Sequence, residues 1–172
     1  MDYSTVTLVF ADSLNGKIKI GPAALLPISS FVQDDHKKTE AGGVLLGRFL
    51  IANSDVVVDQ VTIPMVGDKR SRFHFFRSRH AHQKQILEAW TLSQGTCNYL
   101  GEWHTHPESD PHPSGYDFEN WKKKLKFDKF DSDFLFFVIV GTTQINVWKG
   151  YRNNLSFENL NAVSNYSSVK AN

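Results

Sequence analysis

The chain has 172 residues, of which 41% are hydrophobic and 22% are charged, the proportions of a soluble globular protein. Its 19 basic and 18 acidic residues nearly cancel, so no overall field favours nucleic acid or a membrane as a partner. No apolar stretch is long enough to cross a bilayer, and the N-terminus lacks the basic region of a signal peptide. We therefore predict a cytoplasmic protein with one domain over residues 1–172 and a core at 20–150. The single cysteine, Cys97, excludes an internal disulfide.

Hydrophobic periodicity divides the chain into alternating strands and helices. The predicted elements are strands at 4–10 and 17–20, a helix within 22–38, strands at 44–52 and 55–63, a short strand at 73–76, a helix at 80–94, a strand at 96–104, a helix at 114–127, strands at 134–140 and 144–148, and a final strand within 154–163. The polar residues at the C-terminal end are expected to fray. This order predicts a mixed α/β fold, with a mixed central sheet flanked by helices.

Two histidines one residue apart, His104 and His106, lie at the end of a predicted strand. In a strand, residues i and i+2 project to the same face, so both imidazoles can converge on one metal ion. His80 and His82 have the same spacing, but they lie at the start of a predicted helix. There the two side chains diverge by about 200° around the helix axis, which excludes them as a chelating pair.

Ser114 and Asp117 follow the two histidines at the start of a predicted helix. Ser114 is placed to cap that helix, so the carboxylate of Asp117 lies in its first turn and can face the strand end. Catalytic zinc is typically held by three protein ligands with a fourth position open, and His104, His106 and Asp117 can supply the three. The alternative is that the histidines are ordinary polar residues and that Ser114 and Asp117 only cap the helix.

A hydrolytic zinc site also needs a base that is not itself a ligand, usually a carboxylate. Three residues are available by sequence position: Glu40, Glu102 and Glu108. Glu102 shares the predicted strand face of the histidines, Glu108 lies in the following loop, and Glu40 precedes a buried strand. Spacing alone does not choose among them.

The order of these residues resembles a known signature. Glu40, then His104-Thr105-His106, then Ser114 and Asp117, is similar to the upstream Glu followed by His-x-His-x7-Ser-x2-Asp of the JAMM (MPN, Mov34-type) zinc metalloproteases. The match covers every signature position. The runs at 40–47 and 101–108 resemble the bacterial single-domain branch, encoded beside ubiquitin-activating-like and ubiquitin-conjugating-like enzymes, including those of antiphage CBASS-type operons.

The resemblance implies a fold, an activity and a set of roles. The fold would be a JAMM/MPN sandwich, similar to cytidine deaminases. Glu40 would be the general base and Ser114 would help to hold the oxyanion, while His104, His106 and Asp117 would bind Zn²⁺. The implied reaction is hydrolysis of the bond after the C-terminal glycine of a ubiquitin-like protein, or of a protein conjugated in the same way.

The resemblance also implies partners and leaves two alternatives. The partners would be the conjugated protein and the activating-like and conjugating-like enzymes of the operon, with no membrane or nucleic acid. One alternative is a peptidase that processes precursors of sulfur-carrier or ubiquitin-like proteins. The other is an inactive scaffold or binding module, against which the five intact signature residues argue.

Aromatic residues are interpreted as core. The tryptophans expected to anchor the core are Trp90, Trp121 and Trp148. Trp103 is expected to point away from the histidines and to pack under the site. The aromatic residues of the run 73–76 follow several basic residues, a combination that could bind nucleic acid, but their alternation favours a buried strand.

Overall fold

The computed structural model describes residues 3–167. The elements of these residues are β1 (Val6–Ala11), β2 (Lys17–Ile20), α1 (Pro22–Ser29), β3 (Gly42–Phe49), β4 (Val56–Val61), β5 (Lys69–Ser71), β6 (His74–Phe76), α2 (Arg79–Leu92), β7 (Asn98–Thr105), α3 (Gly115–Phe127), β8 (Phe134–Val140), β9 (Ile145–Tyr151), β10 (Phe157–Asn159) and β11 (Asn161–Ser167). The predicted mixed α/β fold is confirmed. The terminal residues expected to fray lie partly outside the described range.

Nine of the described strands form one mixed sheet in the order β10-β9-β8-β7-β3-β4-β2-β1-β11. Two of its neighbouring pairs are parallel, β2 with β4 and β7 with β8, and the others are antiparallel. Strand β7, which carries the two histidines, lies between β3 and β8. Because β7 is paired on both sides, the sheet fixes the backbone of the site.

The two edge strands of this sheet, β10 and β11, are joined by the single residue Leu160. A flat sheet of nine strands would hold its edges far apart, since neighbouring strands lie about 4.8 Å from each other. The sheet must therefore curve until its ends meet. The ammonium of Lys149 on β9 lies 2.6 Å from the carboxylate of Asp12 beside β1, across the same junction.

Two hydrophobic clusters cover the two faces of the sheet. One contains Leu25 and Ile28 of α1 together with Trp103 of β7. The other contains Trp121 and Leu125 of α3 together with buried residues of β3, β7 and β8. Trp103 therefore points away from the face that carries His104, as predicted, and its indole N–H donates to the carbonyl of Thr62.

The structure corrects the prediction for two segments. Residues 65–72, which contain none of the predicted elements, include β5, which pairs with β6 in a separate two-stranded sheet. On α2 the expectation that Trp90 anchors the core is wrong, because Trp90 is 50% exposed, and Leu87 nearby is 60% exposed. The buried stripe of α2 instead carries His82 and Ala89, so a histidine occupies a position where the pattern required an apolar residue.

A bulge in β7 requires glycine at position 101. Gly101 has a φ of 140°, and a Cβ there would lie 1.8 Å from the carbonyl oxygen of Phe136 on β8. The register between β3 and β7 shifts at the same place. The bulge precedes His104 by three residues, so it helps to set which face the histidines share. No helix among residues 3–167 has the length and apolar character needed to cross a bilayer.

Candidate metal centre and active site

The two histidines lie at the carboxyl end of β7. His104 is opposite Gly42 of β3, and the backbone N–H of His106 donates to the carbonyl of Val140 at the end of β8. Between them, the N–H of Thr105 donates to the carbonyl of Ala41. Hydrogen bonds to two neighbouring strands therefore hold both histidines, and their imidazoles lie on the side of the sheet that α3 covers.

Three side chains converge at this point. The Nε2 atoms of His104 and His106 are 3.1 Å apart. The carboxylate of Asp117 lies 3.3 Å from His104 Nε2 through Oδ1 and 3.6 Å from His106 Nε2 through Oδ2. Ligand atoms about 2.0–2.1 Å from a tetrahedral zinc ion would lie about 3.3–3.4 Å from each other. The separations are near this value, with a different oxygen of Asp117 facing each imidazole.

Glu40 approaches the same point from the chain just before β3. Its Oε1 atom lies 4.0 Å from His104 Nε2, and Glu40, His104 and His106 together form a group able to hold a metal. The carboxylate of Asp117 lies 3.3 Å from the imidazole of His104 and 3.6 Å from that of His106. The carboxylate of Glu40 lies farther away, 4.0 Å from the imidazole of His104. The distances thus favour Asp117 as the third ligand and place Glu40 beside the ligand set.

Helix α3 presents Asp117 through a capping box. The hydroxyl of Ser114 accepts from the N–H of Asp117, while Asp117 Oδ2 accepts from the N–H and the hydroxyl of Ser114 at 2.7 and 2.6 Å. Burial alone would raise the pKa of Asp117, but the donors on His104 and Ser114 outweigh it and hold that pKa well below its ordinary value. The carboxylate is therefore ionised and its orientation is fixed.

The pKa values of the two histidines are shifted in opposite directions. Burial alone lowers the pKa of His104, but the facing carboxylates of Asp117 and Glu40 outweigh it and raise that pKa. Burial and the neighbouring His104 lower the pKa of His106. Two imidazole nitrogens 3.1 Å apart can share a proton or present their lone pairs to one cation.

The environments of the three glutamates distinguish them as bases. Burial raises the pKa of Glu40 to about 7, with His104 lowering it and Asp117 raising it. Burial opposes ionisation of Glu102 too, but Arg77 and Lys124 lie 2.6 and 3.1 Å from its carboxylate and lower its pKa to about 2. Glu108 is exposed, 3.8 Å from His106. A base that works near neutral pH needs a pKa near 7, so Glu40 is the best suited.

A cleft surrounds these groups, and part of its wall was not predicted. The β5–β6 hairpin contributes Phe73, His74 and Phe75 to the lining, and α3 contributes Tyr116. Phe75 packs against Gly42, where a Cβ would lie 2.5 Å from its ring. The prediction that this aromatic run is buried strand core is wrong at two positions, because Phe73 is 65% and Phe76 is 60% exposed.

The second histidine pair does not form a site. His82 is fully buried and lies 2.6 Å from the hydroxyl of Thr62 and 3.1 Å from the carboxylate of Asp68. His80, on the other side of the helix start, is exposed. The helical divergence predicted for this pair is confirmed.

Two convergent histidines, an aspartate and a buried glutamate are the kind of group that metal-dependent hydrolases use to hold and serve a metal ion. Residues 26–153 match the family described as prokaryotic homologs of the JAB domain. The chain belongs to this family, which confirms the JAMM resemblance. It is a JAMM-family isopeptidase, a hydrolase.

Several curated relatives share most of the chain. A Pseudomonas aeruginosa protein is 36% identical over 80% of this chain and 85% of its own length, and a Vibrio cholerae protein is 36% identical over 73% and 80%. An Escherichia coli protein is 30% identical over 86% and 91%. All three are named CD-NTase/cGAS isopeptidase.

A solved structure supports the fold. The solution structure of a Desulfitobacterium hafniense protein superposes with a TM-score of 0.54, covering 81% of this chain and 87% of that one. The identity is 19%, so this likeness speaks for the architecture alone.

Proposed function

We propose that this protein is a zinc-dependent isopeptidase that releases a CD-NTase-type protein from its conjugates in a bacterial antiphage system. The names of its curated relatives support the substrate, and the operon type implied by the JAMM resemblance supports the antiphage role. The observation that carries the proposal is the convergence of His104, His106 and Asp117, with ligand atoms 3.1–3.6 Å apart, beside a buried Glu40. A cytoplasmic location and a single domain over residues 1–172 complete the proposal.

In this proposal His104, His106 and Asp117 hold zinc. Zinc, when bound, supplies Lewis acidity that makes water acidic near neutral pH and polarises a carbonyl. Glu40 accepts a proton from the attacking water and returns it to the leaving amine nitrogen, so the carboxylate is regenerated as the C–N bond breaks. Its pKa of about 7 suits both transfers. Ser114, the first residue before α3, is the proposed hydroxyl donor to the oxyanion.

The substrate would reach this site as an extended C-terminal tail ending in glycine. Among the described residues, β6 pairs with β5 alone, and His74 from β6 lines the cleft. An extended peptide can add to such an edge through main-chain hydrogen bonds. The activating-like and conjugating-like enzymes of the operon are the proposed partners that make the conjugate.

The test uses the purified full chain, a conjugated CD-NTase and its unconjugated precursor. We expect the wild-type chain to contain zinc and to cleave the conjugate, and His106→Ala to lose both zinc and cleavage. Cleavage of the precursor alone would instead support the processing peptidase. A wild-type chain that binds no zinc and cleaves neither protein would establish the scaffold alternative.

A further inference from the structure

A buried amide lies outside the signature residues but next to the site. Gln33, four residues after the end of α1, is 2% exposed. Its Nε2 atom donates to the carbonyl of Arg72 at 2.9 Å and, less closely, to that of Lys38 at 3.3 Å. Its Oε1 atom accepts from the hydroxyl of Thr105 at 3.0 Å. An amide this deeply buried is retained only where its donors and acceptors are matched.

The donor and acceptor roles in these hydrogen bonds follow from one another. The hydroxyl oxygen of Thr105 accepts from the backbone N–H of Ala41 at 2.9 Å, so its own hydrogen is free to donate to Gln33. The two carbonyls next to Nε2 can only accept, which places the NH₂ group of Gln33 on their side. The result is one continuous chain of hydrogen bonds from Ala41 through Thr105 and Gln33 to Arg72.

Each end of this chain reaches part of the active site. Thr105 lies between His104 and His106, and Ala41 directly follows Glu40. Arg72 lies in the turn of the β5–β6 hairpin, immediately before Phe73, which lines the cleft. Gln33 is thus a side-chain link from the cleft-lining hairpin to the strand of the metal ligands.

The hairpin has other contacts with the site, both through Phe75 of β6, which packs against Gly42, and through β5. The N–H of Glu40 donates to the carbonyl of Ser71 at 2.7 Å, and Arg70 Nε donates to the carbonyl of Glu40 at 2.8 Å. These bonds hold β5 against the chain before β3. The link through Gln33 acts one residue further on, where the chain turns toward Phe73 and β6.

We propose that Gln33 is a positioning residue that holds the β5–β6 hairpin in place beside β7, the strand that carries His104 and His106. By doing so it sets the affinity for the extended substrate tail. The effect on substrate affinity rests on the proposed function, whereas the effect on the position of the hairpin does not. Gln33 touches neither the metal ligands nor the reacting atoms, so its loss acts on substrate binding rather than on the chemical step. The metal ligands keep their places through the pairing of β7.

The test compares Gln33→Met, which is similar in size and has no amide, with Thr105→Val, which removes the hydroxyl at the other end of the link. Tyr151→Phe is the matched control, because it removes one hydrogen bond, to Glu158 at 2.7 Å, far from the cleft. Hydrogen exchange of peptides covering residues 69–76 is measured on each full-length variant, together with KM, kcat and zinc content.

We expect hairpin exchange to rise about tenfold in Gln33→Met and in Thr105→Val, because each variant breaks the hydrogen bond between Thr105 and Gln33. In Gln33→Met, KM should rise by a similar factor, with kcat and zinc content unchanged. Thr105→Val also removes the acceptor of the Ala41 N–H beside Glu40, so only its hairpin exchange is compared, and the double variant should add little to the exchange of either single one. Tyr151→Phe should change neither hairpin exchange nor KM. If Gln33→Met does not fold, the Thr105→Val comparison decides.

Hairpin exchange equal to that of the wild type, or faster exchange with an unchanged KM, would overturn the inference. A wild-type chain without isopeptidase activity would overturn the proposed function instead. The exchange measurement would then still decide whether Gln33 holds the hairpin, because it needs neither substrate nor metal.

Discussion

Ser114 performs two hydrogen-bonding tasks at the start of α3. Its hydroxyl oxygen accepts from the N–H of Asp117, which caps the helix, and its hydroxyl hydrogen points to Asp117 Oδ2 at 2.6 Å. The residue to which the resemblance assigns oxyanion binding therefore orients the proposed third metal ligand in this structure, and its one hydroxyl hydrogen would have to turn from Asp117 to donate to an oxyanion. Partners of this kind, which touch a ligand and not the metal, tune metal affinity.

Ser114→Ala tests this second task. We expect the free energy of unfolding to fall by about 1 kcal/mol from loss of the cap, and zinc affinity to fall about tenfold because Asp117 keeps only the backbone donor of Ser114. Urea denaturation of the metal-free protein and competition with a chromophoric chelator measure the two effects. Slower hydrolysis at unchanged zinc affinity would restrict Ser114 to the oxyanion.

At the scale of elements, β7 and α3 could be predicted because their sequence patterns are local. The strand run ending in His104 and His106 and the cap at Ser114 indicated both elements and the face on which the ligands meet. Trp121 on α3 is buried as expected, and Leu125, four residues later on the same helix, is buried with it. Spacing within residues 98–127 therefore predicted that His104, His106 and Asp117 come together, while their roles as metal ligands remain a proposal.

The β5–β6 hairpin and α2 could not be predicted in the same way. The buried face of α2 includes His82, whose burial depends on Thr62 and Asp68, residues 20 and 14 positions away in the chain. The hairpin strands have three residues each, too few for periodicity, and they place exposed phenylalanines beside the cleft. Both elements make long-range polar contacts, which leave no period in the sequence.

The local sequence pattern also could not show which glutamate is the base. Glu40 and Glu102 are the same residue type, and only the folded chain surrounds Glu102 with Arg77 and Lys124 while leaving Glu40 buried near two imidazoles. Family resemblance favoured Glu40, and the environment gives a physical reason for it.

At the scale of the whole molecule, the curved sheet is closed by contacts between its two ends. Asp12, beside β1, receives the ammonium of Lys149 on β9 as well as the backbone N–H groups of Leu14 and Gly16. Burial alone would raise the pKa of Asp12, but Lys149 and these donors outweigh it and lower that pKa. The folded state therefore favours the ionised carboxylate.

This closure predicts a pH-dependent stability. The unfolded Asp12 has a pKa of about 3.9 and the folded one a lower pKa, so its contribution is present above about pH 4 and is lost as pH falls through the folded pKa. We expect Asp12→Asn to lower the free energy of unfolding by about 1–2 kcal/mol at pH 7 and by progressively less in acid. Urea denaturation from pH 7 to pH 3 measures the difference. A difference that grew on acidification would contradict this account.

The central claim is that Glu40 is the base and not a metal ligand, and Glu40→Gln tests it most directly. The measurement is zinc per chain, by mass spectrometry, together with the rate of isopeptide cleavage, with Glu102→Gln as the matched control. For Glu40→Gln we predict the zinc content of the wild type and a cleavage rate at least about a hundredfold lower. For folded Glu102→Gln protein we predict the cleavage rate of the wild type. A Glu40→Gln protein that still cleaves, or one that loses its zinc, would contradict the claim.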